Sequence, residues 1–264
     1  KNCTPATASD FSAIAYYFGK MLRDSLNVPV GLICNAIGGS PTEAWVDRAS
    51  LEYQFPAILK DWTKNDFIQE WVRGRAALNI KKSANSQQRH PYEPCYLYES
   101  GIRPLEQYPI RGVIWYQGEN NAARANEYID LFPALIKDWR SRWNNEFPFY
   151  WVQLANFMSP AKQPSESHWA NLRDTQSKTL ALPHTGQAVI IDIGEENDIH
   201  PRNKQDVGKR LALHALHNDY GYNSIVCTGP IFQSVKRIGD ALEITFNACD
   251  EQLVARNKYG YLSG

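Results

Sequence analysis

The 264-residue sequence has no apolar run approaching the roughly 20 residues needed to cross a bilayer, which argues against a membrane-spanning helix. It has no excess of charge: 28 basic residues face 28 acidic ones. That balance gives no electrostatic case for nucleic acid or for an anionic membrane surface as a partner. Cysteine is sparse, odd in number and never spaced CxxC; Cys3, Cys34, Cys95, Cys227 and Cys249 read neither as a zinc site nor as a dense disulfide framework. Neither glycine turn matches a P-loop or a dinucleotide fingerprint. There is no internal repeat, no low-complexity tract and no secretory signal pattern at the start. His214 and His217, three apart, lack a third ligand nearby and read as a solvated helix face, so no metal and no cofactor is expected.

What is present is a large apolar fraction, 43%, with eight tryptophans and fourteen tyrosines. That suffices for one sizeable domain and part of a second. The aromatic richness suits either ordinary packing or the apolar faces of pyranose rings.

Along the chain, apolar residues at Phe11, Ile14, Ala15, Phe18, Met21 and Leu22 fall at helical intervals, with Ser9 or Asp10 placed to cap the start. Four short apolar runs then read as strands buried on both faces: Val30–Cys34, Gly112–Tyr116, Phe149–Leu154 and Ala188–Asp192. Helical stretches follow at about 122–143, 169–182 and 204–216. Residues 51–88 read as polar and largely helical, and 89–108 as a long ordered loop over the sheet edge. This alternation predicts an α/β fold, a parallel sheet with helices on both faces. From about residue 221 the character changes, and Ile231–Val235 and Leu242–Phe246 read as antiparallel strands joined at Gly239-Asp240. The expected division is therefore 1–220 and a β-rich segment, 221–264, cut short.

In a parallel α/β sheet, ligands bind beyond the carboxyl ends of the strands. Three polar clusters lie there: Ile37-Gly38-Gly39-Ser40-Pro41-Thr42-Glu43-Ala44-Trp45, Trp115-Tyr116-Gln117-Gly118-Glu119-Asn120-Asn121, and Asp192 through Asp198-Ile199-His200-Pro201. A glycine turn, a side-chain amide and a carboxylate–imidazole pair are what acyl transfer needs: two donors for an oxyanion and an oriented general base. Ser40 follows a strand on a glycine turn, but Gly38-Gly39-Ser40-Pro41-Thr42 lacks the second glycine of a nucleophile elbow, leaving Ser40 a weak alternative nucleophile.

These three clusters, in this order, resemble the SGNH hydrolases, and within them the sialate O-acetylesterase and acetylxylan esterase branch. The run Arg111–Glu119 and the run Asp198–Lys204 carry most of the likeness, with Leu97-Tyr98 and Arg103-Pro104-Leu105 adding to it. The resemblance implies a three-layer, flavodoxin-like domain and hydrolysis of O-acetyl esters on carbohydrates, acetylated sialic acid ahead of acetylated xylan. It implies His200 as general base, Asp198 as its orienting carboxylate, Gly39 and Gln117 as oxyanion donors, and Glu119 as support of that loop. Asn197 occupies the place three before His200 where the family usually has aspartate, which keeps Asp192 in play beside Asp198. The family's Gly-Gln-Ser-Asn-Met block appears nowhere, so the nucleophile is expected on an upstream segment, and this chain by itself is expected to be inactive. A relative that binds carbohydrate after losing its nucleophile is the competing expectation. The family likeness also implies a periplasmic or extracellular location.

Overall fold

The computed structural model describes residues 2–85 and 87–247. The expected α/β architecture is present. β1 (Val113–Trp115), β2 (Phe149–Val152) and β3 (Thr185–Ala188) form a parallel sheet in that order, in the registers Val113↔Phe149 and Phe149↔Thr185. β2 is central and all four of its residues are buried, as a continuous apolar run requires. Its side chains alternate between two cores. Phe149 and Trp151 join one with Trp115, Phe132, Leu135 and Trp139, whereas Tyr150 and Val152 join another with Leu22, Val207, Leu211 and Ala215. That alternation places helices on both faces.

The helices, in order, are α1 (Pro5–Ala8), α2 (Ala13–Leu26), α3 (Arg48–Gln54), α4 (Pro56–Leu59), α5 (Glu70–Lys81), α6 (Ala125–Trp143), α7 (His168–Lys178) and α8 (Lys204–Asp219). α2 and α8 pack together over one face; α6 and α7 cover the other. Ser12, not Ser9 or Asp10, caps α2, its hydroxyl accepting from Ala15 N–H at 3.3 Å. α6 begins three residues later than the apolar period suggests, because a 3₁₀ turn (Glu119–Arg124) leads into it.

Two expected strands differ. Residues 30–34 form no ladder among the described residues; a strand needs a paired neighbour, and here only one side packs. Val30 lies against the α2/α8 core, and a side chain on Gly19 would meet Leu32 at 2.7 Å, while Ile33 stays exposed. The last strand of the parallel sheet is Thr185–Ala188, ahead of the apolar run at 188–192. Gly186 fits there because a Cβ would come within 2.7 Å of His214 Nδ1. Gln187 fits because its Oε1 accepts from Trp151 Nε1–H at 2.9 Å and its Nε2 donates to Ser177 Oγ at 3.0 Å. Past the ladder's end Ile190 is buried, but Val189 and Ile191 are exposed.

His214 is also not a solvated residue. It is buried, stacked on Tyr150, and its Nε2–H donates to Gln187 O at 2.9 Å. Among the described residues no group of three or more His, Cys, Asp or Glu is placed to hold a metal ion. The segment at 89–108 does more than cover an edge, since Tyr92, Cys95, Leu97, Tyr98 and Ile102 all enter the core.

β4 (Ile231–Ile238) and β5 (Ala241–Asn247) make the expected antiparallel hairpin, turning at Gly239 with φ of +60°. Every residue of β4 is exposed, and in β5 only Phe246 is half-buried. Packing of the α/β unit continues past residue 220: Tyr222 and Ile225 lie against the α2/α8 core, and Tyr222 OH donates to Ser25 O at 2.6 Å. The remainder of the expected β-rich segment, with Cys249, lies outside the described residues. No described helix is long and apolar enough to cross a membrane.

Candidate active site

The glycine turn and the loop after β1 are far apart in sequence and joined side chain by side chain. Thr42 N–H donates to Asn121 Oδ1 at 3.0 Å and Thr42 Oγ1–H to Gln117 Oε1 at 2.6 Å. Gln117 Nε2 donates to Asn121 Oδ1 at 2.7 Å and, more weakly, to Ser40 O at 3.3 Å. Asn121 Nδ2 donates to Glu43 Oε2 at 3.0 Å, and Asn120 Nδ2 to Gly39 O at 2.6 Å. Thr42, Glu43, Gln117 and Asn121 are all buried, so this is a shielded network in which each bond counts for more than it would in water.

Gly39 sits on top of that network with φ of +76°, a left-handed conformation that glycine adopts without strain. A Cβ there would collide with Tyr92 OH at 2.4 Å and approach Trp71 at 3.3 Å. Tyr92 OH donates to Gly38 O at 2.9 Å and so pins the turn from below. Gly39 is exposed, and its N–H has no acceptor among the described residues. A free, fixed backbone donor is what an oxyanion needs. Gln117 has both of its amide hydrogens engaged, and its bond to Ser40 O is the longest of the set.

The loop after β1 is fixed from the other side as well. Gly118 has φ of +148°, and a side chain on it would strike Leu172 at 2.8 Å. Buried Gln176 clamps this point: its Nε2 donates to Gln117 O at 3.1 Å and its Oε1 accepts from Leu154 N–H at 3.0 Å. Glu119 follows. Burial raises its carboxyl above the usual range, opposed first by a hydrogen bond from backbone N–H and then by the neighbouring His200 and Lys204 side chains.

The segment that follows the third cluster meets the second at Lys204 and Tyr116. Lys204 lies over the Tyr116 ring with Nζ 5.8 Å from its centre. Burial lowers its ammonium, and Glu119, Asp198 and Glu195 oppose the shift. His200 is 83% exposed, with Nδ1 3.6 Å from Asp198 Oδ1; the same oxygen accepts from His200 N–H at 2.8 Å. Asp198 therefore holds the loop that carries the imidazole and stands beside its ring. Asp192 instead faces Arg210 in a bidentate pair, 2.5 and 2.7 Å.

Ser40 is 5% exposed and its hydroxyl is engaged twice, donating to Ile37 O at 2.8 Å and accepting from Trp45 Nε1–H at 2.9 Å. It serves as a brace of the turn. Sequence reasoning did not single out Glu43, Asn121, Tyr92 or Gln176. The first two stand inside the polar clusters already marked; nothing local flags Tyr92 or Gln176, whose partners are 54 and 59 residues away.

A glycine turn with a free N–H, an amide-rich loop locked against it and a histidine–aspartate loop at the rim together suit acyl transfer on an α/β scaffold. The family model described as carbohydrate esterase, sialic acid-specific acetylesterase matches residues 67–217, more than half of the chain. Rat sialate O-acetylesterase is 29% identical over 277 residues, covering 94% of this chain and 50% of that protein. The human sialate O-acetylesterase is 30% identical, covering 85% and 42%. Among solved structures, a carbohydrate acetylesterase from Xanthomonas citri is 42% identical with a TM-score of 0.74, over 94% of this chain and 50% of that one. The chain thus belongs to the sialic acid-specific acetylesterase family of carbohydrate esterases. It spans about half the length of the relatives it matches.

Proposed function

We propose that the protein containing this chain hydrolyses O-acetyl esters on carbohydrates, with O-acetylated sialic acid preferred over acetylated xylan. The observation that carries the reading is the free Gly39 N–H, fixed over the buried network of Thr42, Glu43, Gln117 and Asn121. In this reading a serine hydroxyl attacks the acetyl carbonyl and its proton passes to His200, which Asp198 orients. Gly39 N–H receives the tetrahedral oxyanion, and Gln117 Nε2–H becomes the second donor by giving up its 3.3 Å bond to Ser40 O. The sugar leaves as the alcohol, taking its proton from His200; water then cleaves the acyl-serine and acetate departs. Asp192 is the less favoured carboxylate because Arg210 already holds it. Since Ser40 is buried and doubly bonded, the serine comes from a segment outside these 264 residues.

The experiment is acetate release from O-acetylated N-acetylneuraminate and from acetylated xylan by the longer protein, with and without His200→Ala. Loss of several orders of magnitude in kcat supports the assignment; activity within about tenfold of wild type would sink it. The engaged hydroxyl of Ser40 also favours a second reading, a carbohydrate-binding relative without a nucleophile. Binding of the same sugars with no acetate release by the longer protein would establish that alternative.

A further inference from the structure

Helix α5 borders the glycine turn, and its exposed side chains are not used by the chemistry above. Trp71, in its first turn, is 52% exposed, yet its six-membered ring lies 3.3 Å from where a Gly39 side chain would begin. It is held there by Tyr92: the ring centres are 6.1 Å apart at 32°. Tyr92 is itself packed edge-to-face on His90 at 4.6 Å and bonded to Gly38 O. An exposed indole fixed from below by a buried tyrosine is a rigid platform. Its N–H has no acceptor among the described residues.

Arg75 stands four residues on, the spacing that puts two side chains one above the other on the same helical face. It is exposed and makes no ion pair among the described residues. Other arginines are tied to carboxylates: Arg73 to Asp66, Arg89 to Glu93 and Glu99, Arg103 to Asp47, Arg124 to Glu127. Arg75 has Trp71, Val72, Leu78 and Asn79 at its helical contact positions, none of them acidic. Burial raises the Tyr92 hydroxyl and lowers the His90 ring; the charge of Arg75 opposes the first shift and adds to the second.

We propose that Trp71 and Arg75 form a subsite for a pyranose that carries a carboxylate, the indole taking the apolar face of the ring and the guanidinium its charge. The inference rests on the proposed function, because an acyl oxygen on Gly39 N–H places the rest of the sugar beside Trp71. A guanidinium pairs with a carboxylate through two parallel N–H···O bonds, and an aromatic face accepts the C–H side of a sugar ring. A neutral acetylated xylan has no group for Arg75, so the subsite would also select among substrates.

The test is a calorimetric titration of this chain at low salt with N-acetylneuraminate, its methyl ester, glucuronate and glucose. The acid should bind about tenfold more tightly than its methyl ester, and Arg75→Gln should remove that difference while leaving the ester unchanged. Trp71→Ala should weaken both by about tenfold, and added salt should weaken only the acids. Glucuronate binding like N-acetylneuraminate would show that the carboxylate alone is read; a preference for N-acetylneuraminate would show that its larger ring is read as well. Equal affinity of acid and ester in the wild type, no sugar binding at all, or an Arg75→Gln variant that still discriminates would overturn the subsite. Because binding needs no nucleophile, these results are independent of acetate release. Failure of the longer protein to release acetate would remove the esterase reading and leave the binding result to stand or fall by itself.

Discussion

Glu43 is a buried carboxyl four residues after Gly39 of the glycine turn, receiving one hydrogen bond from Asn121. Burial pushes it from 4.5 up to about 7, with the Asn121 bond and Arg124 opposing the rise. A carboxyl raised in the native state binds more protons there than when unfolded. Its contribution to stability is therefore fully present below about pH 4.5 and is lost as the pH rises toward 7. At about 1.4 kcal/mol per pKa unit, the loss amounts to about 3 kcal/mol. Glu43→Gln keeps an acceptor for Asn121 and cannot ionise. Urea unfolding should show the variant matching wild type near pH 5 and exceeding it near pH 8; a variant less stable at pH 8 would refute the account. Gln117 poses a different question at the same scale. If it yields its bond to Ser40 O in the transition state, Gln117→Ala in the longer protein should lower kcat by roughly 10²–10³ with KM little changed. A change confined to KM would make Gln117 a substrate contact.

Among the elements, legibility tracked how much of each strand's role was local. Phe149–Val152 was readable because a strand buried on both faces is apolar throughout. Thr185–Ala188 was not, because its polar residues are paired with Trp151, Ser177 and His214, partners set only by the tertiary fold. The run Val30–Cys34 has strand composition but no neighbour to pair with among the described residues. The site shows the same division. Its glycine, amide and histidine–aspartate clusters stand in the sequence as short polar runs at strand ends, whereas Tyr92 and Gln176 act across more than fifty residues and leave no local sign. The hairpin β4–β5 was legible from its turn, but two exposed strands add little burial. We infer that the α/β unit ends after the contacts of Ile225. Deletion of residues 230–247 should then move its thermal midpoint by less than about 2 °C in calorimetry, since only Phe246 among them is half-buried. A fall of 10 °C would show that the hairpin belongs to the same cooperative unit.

For the molecule as a whole, no serine among the described residues is hydrogen-bonded to the His200 ring, which stands beside Asp198. Ser40 adjoins Gly39, the oxyanion donor proposed above, but its hydroxyl both donates and accepts inside the turn. Among the described residues β1 pairs on one side only, residues 30–34 join no ladder, and Ile33 and Ile37 are exposed. Unpaired strand edges and exposed apolar side chains are what an additional strand would cover. We infer that such a strand, from outside these 264 residues, completes the sheet and ends in the nucleophile. The consequence is a pair of opposed outcomes. A fluorophosphonate probe should label nothing on this chain and one serine of the longer protein, blocked there by His200→Ala. Ser40→Ala should leave kcat of the longer protein within about tenfold, yet cost about 1–3 kcal/mol of stability because the buried Trp45 N–H loses its acceptor. Stoichiometric labelling of Ser40 in this chain, abolished by Ser40→Ala, would overturn the inference and make the glycine turn itself the seat of the nucleophile.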